Sequence, residues 1–299
     1  MTGAAAAAPG DPGLFGPDSV TWRVHADPIM WIAGLRALLL QAVHPAAMAG
    51  VLGHSDFRAD PWGRLLRTAD YVGVVSFGST AEVEAIGARV RAIHERVRGF
   101  DPVTGVRYRA SDPVLLRWVH CCEVESFLTT YQRVGGGLTR SEADAYYAEQ
   151  TRAAAVVGLD PAEVPASVDA MASYFRDMQP DLAVDRRARR VAGYVVTPPM
   201  PRWVRLATPA RPAWAGAAGI AVGLLPAWAR RLYGLPSPPG TGLAAIGGLR
   251  ALRAVMGAAP ERYQEGPHLR AARARLADGE PAQLSATGAR SGASPAHGA

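Results

Sequence analysis

The sequence predicts an all-α fold: one single-domain helical bundle over residues 19–276 with a tail at each end. Three observations carry that expectation. Apolar residues recur at helical spacing through most of the chain. Capping signals stand just ahead of those runs, and alternating strand-like patterning is confined to one stretch, "GVRYRAS" at 105–111. With 299 residues, 49% of them hydrophobic, the chain can bury a large core.

The capping chemistry orders the elements. Asp-Pro pairs at 27–28, 60–61, 101–102, 112–113 and 160–161 offer a carboxylate for the first amides and a proline for the first helical position. Ser79 with Glu82, and Thr139 with Glu142, have the spacing of reciprocal capping boxes. Gly135 and Gly158 fall where left-handed terminators belong. These signals predict helices over 28–43, 46–53, 61–72, 80–98, 113–134, 140–157, 167–178, 184–195, 214–232, 241–256 and 267–276, with a Pro-rich crossing at 197–212. Residues 1–18 and 277–299 are small, polar and rich in Gly, Pro and Ser, too poor in apolar surface to offset ordering entropy, and are expected to be disordered.

Composition narrows the classes of function. The formal charge is +6, yet all 32 basic residues are arginine and most are dispersed, so no nucleic-acid footprint is expected. The dense run "DRRARR", Asp185–Arg190, reads as a solvated helix face, with an anionic surface as the other reading. Cys121 and Cys122 are adjacent and form no spaced disulfide framework, and the alanine run at the start lacks a signal peptide's basic region. A cytoplasmic location is expected. The uncharged stretch from Ala213 to Ala229 is rich in Ala and Gly and includes Pro226, which favours a buried helix over a membrane span.

Several chemistries lack their motifs. There is no zinc-binding Cys/His pattern, no Gly-x-Ser-x-Gly elbow and no phosphate loop, for the chain contains no lysine. A di-iron bundle needs two Glu-x-x-His pairs on helices, and the one such spacing, Glu265 to His268, abuts Gly266-Pro267.

What remains is a set of polar residues on apolar helices. In the helix after Ser79, the positions Val83, Ile86, Val90, Ile93 and Val97 mark a buried stripe, and His94 lies in line with it. Such a histidine is either a neutral core residue bonded to a carbonyl or an axial metal ligand, with Gly87 leaving room for a flat group. His120 and Glu123 share a face at i, i+3, as a ligand with its orienting carboxylate or as a core polar pair. Arg36, Gln41 and His44 interrupt an apolar run that Pro45 ends, which marks a packing feature or a pocket wall. Arg64, Arg67 and Thr68 line one helix face, suited to carboxylates or phosphates or to a surface salt-bridge row.

The segments "LRALLLQAVHPAAMAGVLGHSDFRADPWGRLLRTADYV", "VRAIHERVRG", "YRASDPVLLRWVHCCEVESFLTTYQR" and "LLPAWARRLYGLP", in that order, resemble the latex clearing protein (rubber oxygenase) and MpaB-type oxygenase catalytic domains. The resemblance spans roughly residues 17–275 and implies an all-α domain binding haem b. It implies His94 as the proximal iron ligand, Arg64 as a propionate partner, Arg67 and Thr68 beside iron-bound dioxygen, and His44 or His120 as pocket polar groups or the fallback ligand. It also implies an oxygenase acting on a small apolar, olefinic or isoprenoid molecule, with dioxygen as co-substrate and a separate electron donor. Rubber-cleaving members can carry a lysine where this chain has Arg67, and arginine, unlike lysine, does not deprotonate to ligate iron. No counterpart of their acidic base is evident, so a helical carrier of haem or another hydrophobic ligand is the alternative.

Overall fold

In the computed structural model, which describes residues 8, 10–54, 60–101, 104–236, 238–260 and 264–279, the chain is almost entirely helical. The helices are α1 (Val20–His25), α2 (Met30–Gln41), α3 (Pro45–His54), α4 (Pro61–Phe77), α5 (Thr80–Arg96), α6 (Pro113–Val134) and α7 (Arg140–Val156). They continue as α8 (Val168–Met178), α9 (Arg186–Val196), α10 (Arg202–Ala207), α11 (Ala210–Gly223), α12 (Ala227–Tyr233), α13 (Thr241–Gly257) and α14 (Pro267–Gly279). Between α5 and α6 a two-stranded antiparallel ribbon pairs β1 (Arg98–Phe100) with β2 (Arg107–Arg109), Gly99 opposite Tyr108.

Most of the predicted caps are made, though Asp27 accepts from the Ile29 amide ahead of α2 and Asp101 pairs with Arg187, so neither is a helix N-cap. Asp60 and Asp112 accept from the amides of Gly63 and Val114, and Pro61 and Pro113 open their helices. Both capping boxes form, and Gly135 ends α6 at φ 102°, a conformation that costs glycine nothing.

Helix α2 lies along α6, and their apolar faces make the main core with Leu39, Leu40, Val43, Trp118, Cys121 and Phe127. Each large apolar side chain buried there contributes about 1.5–3 kcal/mol. Helices α11 and α13 cover the other side of that pair. A second cluster gathers Phe15, Trp22, Phe77 and Leu269 from the N-terminal segment, α1, α4 and α14.

Four expectations need correction. The predicted helix over 214–232 is two helices meeting at a bend of 116°, because Pro226 cannot donate to the ladder. Its first half is buried along one face, at Ala218, Ala221 and Gly223, while Ala215, Gly216 and Gly219 face outward. The helix over 80–98 stops at Arg96, since β1 takes the next residues into the ribbon. Residues 10–18 are not a loose tail: Phe15 is buried and Asp11 accepts from both the amide and the hydroxyl of Thr80. At the other end, residues 277–279 complete α14, while 280–299 lie outside the described residues. Helix α1 and, within the Pro-rich crossing, α10 were not expected; each has six residues, too short for periodicity to register.

Among the described residues no single helix is long and apolar enough to cross a membrane. The bent pairs α2–α3 and α11–α12 reach the required length and composition only together.

Candidate functional site

Helices α2, α3, α4, α5, α6, α9 and α11 and strand β2 surround a cavity of about 360 Å³ with mostly apolar walls. His94 from the last turn of α5 and Arg64 and Thr68 from α4 all line it. Three predicted site residues from two helices thus meet at one cavity, in the size range of small-molecule sites.

His94 is half-buried, and its Nδ1 is buried with no hydrogen-bond partner among the described residues. Burial lowers its pKa, with the neighbouring Glu95 opposing, so the ring is neutral near pH 7. Burial likewise lowers the pKa of Arg64, with repulsion from Arg67 acting in the same sense. The Thr68 hydroxyl donates to the Arg64 carbonyl one turn back, at 3.1 Å. Trp62 closes one side: its indole donates to the Pro199 carbonyl at 2.9 Å and meets Trp214 edge-on at 4.9 Å.

The other predicted residues stand elsewhere. Arg67 does not line this cavity; it points outward, 63% exposed, and pairs with Asp60 at 3.2 Å. The reason is its place on α4: three residues after Arg64, it faces the helix's own N-cap carboxylate. His44 is buried but serves the backbone, its Nδ1 accepting from the Ala47 amide at 3.4 Å while the ring leans on Trp118. It therefore caps α3 and does not reach the cavity lining. His120 sits in the core, its Nε2 buried without a partner and its pKa pushed down to about 4 by burial. Gly87 gives no berth to a flat group: a Cβ there would lie 2.7 Å from Val156 Cγ1, so its space is taken by α7. The α5 stripe is less covered than its pattern suggests, with Ile93 40% exposed and Val83 its one fully buried apolar member.

Arg36 belongs to the packing, not the site. It is 2% exposed, donates to Glu125, Ser126 and the Leu224 carbonyl, and so joins α2 to α6 and the end of α11. Gln41 donates to the Val119 carbonyl at 3.1 Å and also lines the cavity. The pair Glu265 and His268 is split, Glu265 engaging Arg273 and His268 engaging Asp70. No group of three or more metal-ligating side chains gathers among the described residues.

Two features escaped the sequence. Tyr108 lines the cavity from β2, and a Cβ on Gly53 or Gly99 would lie 2.6 Å from its hydroxyl, so both glycines make room for the ring. The alternation of "RYR" is its signal, with both arginines out and the tyrosine in. His25 is the second: Nδ1 pairs with Ser76 at 2.6 Å and Nε2 with Tyr146 at 2.9 Å, and burial drives its pKa down to about 3. His54, which closes α3, also reaches the cavity.

The family model described as "ER-bound oxygenase mpaB/B'/Rubber oxygenase, catalytic domain" matches residues 22–276. An uncharacterized protein of Mycobacterium bovis and one of Mycobacterium tuberculosis are each 25% identical over 156 residues, or 51% of this chain. The match spans 61% of each relative's length. No solved structure matches the chain.

Proposed function

The chain belongs to the mpaB/B′/rubber oxygenase catalytic-domain family, and from that premise we propose that it is a haem b-dependent oxygenase. Its substrate on this reading is a small apolar molecule, olefinic or isoprenoid, and its co-substrate dioxygen. The observation that carries the proposal is His94: a neutral imidazole at an apolar cavity, with a buried nitrogen that no described residue satisfies. A buried polar atom left without a partner costs about 1–3 kcal/mol, a cost that metal coordination by that same nitrogen would offset.

The donor set fits the group. A neutral imidazole is a normal axial ligand for haem iron, and haem brings two propionates that call for a cation at the pocket. His94 would hold the iron and Arg64 a propionate, bidentate geometry being what a guanidinium offers a carboxylate. When bound, the haem supplies the redox chemistry with dioxygen. The chain's own part is to keep His94 unprotonated, fix Arg64 from one turn of α4, and exclude water with the Trp62, Leu65, Leu116 and Tyr108 side chains. Thr68 stands at the wall as a hydroxyl whose proton goes to the Arg64 carbonyl and whose oxygen can accept from a polar group in the cavity. Arg67, paired with Asp60, is left out of the reacting space.

The stoichiometry separates two outcomes. Cleavage of a carbon–carbon double bond to two carbonyls takes up one dioxygen with no net electrons, whereas hydroxylation needs two electrons from a separate donor. Oxygen uptake by the hemin-loaded protein across a panel of terpenoid alkenes, with and without reductant, tests the reading. Alkene-dependent uptake supports it; uptake unchanged by every alkene, in both conditions, contradicts it.

A further inference from the structure

We propose that a second cavity, bounded by α1, α2, α4, α6 and the start of α14, binds an apolar molecule through a single hydrogen-bond-donating head, an amine or alcohol, held by the Glu123 carboxyl. This cavity holds about 710 Å³, its walls are mostly apolar, and Glu123 projects from α6 into its lining. It is separate from the His94 cavity but shares a wall with it, where Leu35, Leu38, Leu65 and Thr68 line both.

Glu123 is the odd member of the lining. Every other acid there is matched: Asp27 by Arg253, Asp70 by His268 and Glu265 by Arg273. Glu123 has neither an ion pair nor a hydrogen bond among the described residues. Two of the basic groups that line the cavity are engaged elsewhere, Arg67 with Asp60 and His268 with Asp70. Arg36 is bound to Glu125 and Ser126, and both nitrogens of His25 are taken by Ser76 and Tyr146. Burial raises the Glu123 pKa to about 7, and no neighbouring charge contributes to that shift. A carboxyl in a mostly apolar chamber with open lone pairs and no cation paired to it is a costly arrangement for packing alone. It is, however, the polar group that orients a ligand otherwise held by apolar contact. A donor head satisfies an acceptor, and the apolar wall shared with the first cavity covers the ligand's hydrocarbon. The inference stands whether or not His94 holds iron.

Calorimetric titration of the full-length protein with hexylamine, hexanol and hexane tests it. Hydrogen bonding to a charged group predicts that hexylamine binds roughly ten- to hundredfold more tightly than hexane, with hexanol between them. Glu123→Leu should abolish both preferences, and Glu123→Gln, which keeps an acceptor, should retain the alcohol preference and lose the amine's. A purely cationic ligand class shows as the amine arm alone, a neutral one as the alcohol arm. Equal affinity for all three probes, no binding of any, or a head-group preference that survives Glu123→Leu overturns the proposal. On the wild-type protein, infrared difference spectra at about pH 6 should show loss of a protonated carboxyl on hexylamine addition. Its persistence would also overturn the amine arm, independently of how the variants fold.

Discussion

Arg36 and Glu125 form a two-pronged ion pair inside the molecule, Nη1 to Oε2 at 2.5 Å and Nη2 to Oε1 at 3.2 Å, across the central helices α2 and α6. An arginine in the middle of an apolar helix is thus fixed by its partner and not by solvent. Removing one member leaves the other's charge stranded, so Arg36→Ala should lose about 3–5 kcal/mol in urea unfolding. A loss below about 1 kcal/mol would show that the pair is no stronger than a surface contact.

Gly87 is held to glycine by packing. A methyl group there meets Val156 Cγ1 at 2.7 Å and the Val156 carbonyl oxygen at 3.0 Å. Gly87→Ala should therefore cost about 1–3 kcal/mol, against the modest gain alanine brings to an open helical position. The thermal midpoint checks this, and hemin affinity measured alongside should be unchanged.

The buried histidines and Glu123 give opposite pH dependences. His25 has its folded pKa lowered to about 3 from 6.5, so its contribution is complete above about pH 6.5 and is lost as pH falls through 3. Glu123 has its folded pKa raised to about 7 from 4.5, so its contribution is complete below about pH 4.5 and is lost as pH rises through 7. Glu123→Gln isolates the second effect. From about pH 4 to about pH 8 the variant should gain on wild type by on the order of 3 kcal/mol in unfolding free energy. The groups around Glu123 titrate elsewhere or equally in both proteins: Tyr71 and Tyr146 are raised by burial, and His25 and His120 fall to about 3 and 4. A constant difference across that range would place Glu123 in an ordinary solvated setting.

The two arginines of α4 should behave differently. Arg64 lines the His94 cavity and Arg67 is exposed on Asp60. Arg64→Ala should weaken hemin binding about tenfold, the value of a charge-assisted hydrogen bond, while Arg67→Ala should change it less than about twofold. The reverse order would bring Arg67 into the cavity.

The helical framework was legible because its signals are local. Caps such as Ser79–Glu82 and Thr139–Glu142, and the Asp60 and Asp112 starts, are written within four residues and formed as written. The face of α4 bearing Arg64 and Thr68 and the line of α5 bearing His94 were legible for the same reason, through helical spacing. The direction in which a long side chain turns was not. Arg67 shares a spacing with Arg64 yet turns to Asp60, and of His120 and Glu123, which share a face of α6, Glu123 and not His120 lines the second cavity. Those choices depend on contacts between distant segments, as does the ring of His25, which joins residues 51 and 121 positions away. Gly87 misled because a small residue on a helix makes room for whatever approaches, and here that is Val156.

The most direct measurement is the visible absorption spectrum of the purified protein titrated with hemin, compared between wild type and His94→Ala. Coordination by His94 predicts a saturable Soret band in the wild type that is shifted or lost in the variant, with folding of the variant confirmed by far-ultraviolet circular dichroism. A wild-type protein that takes up no hemin, or a folded variant whose Soret band keeps the wild-type position and intensity, would contradict the account.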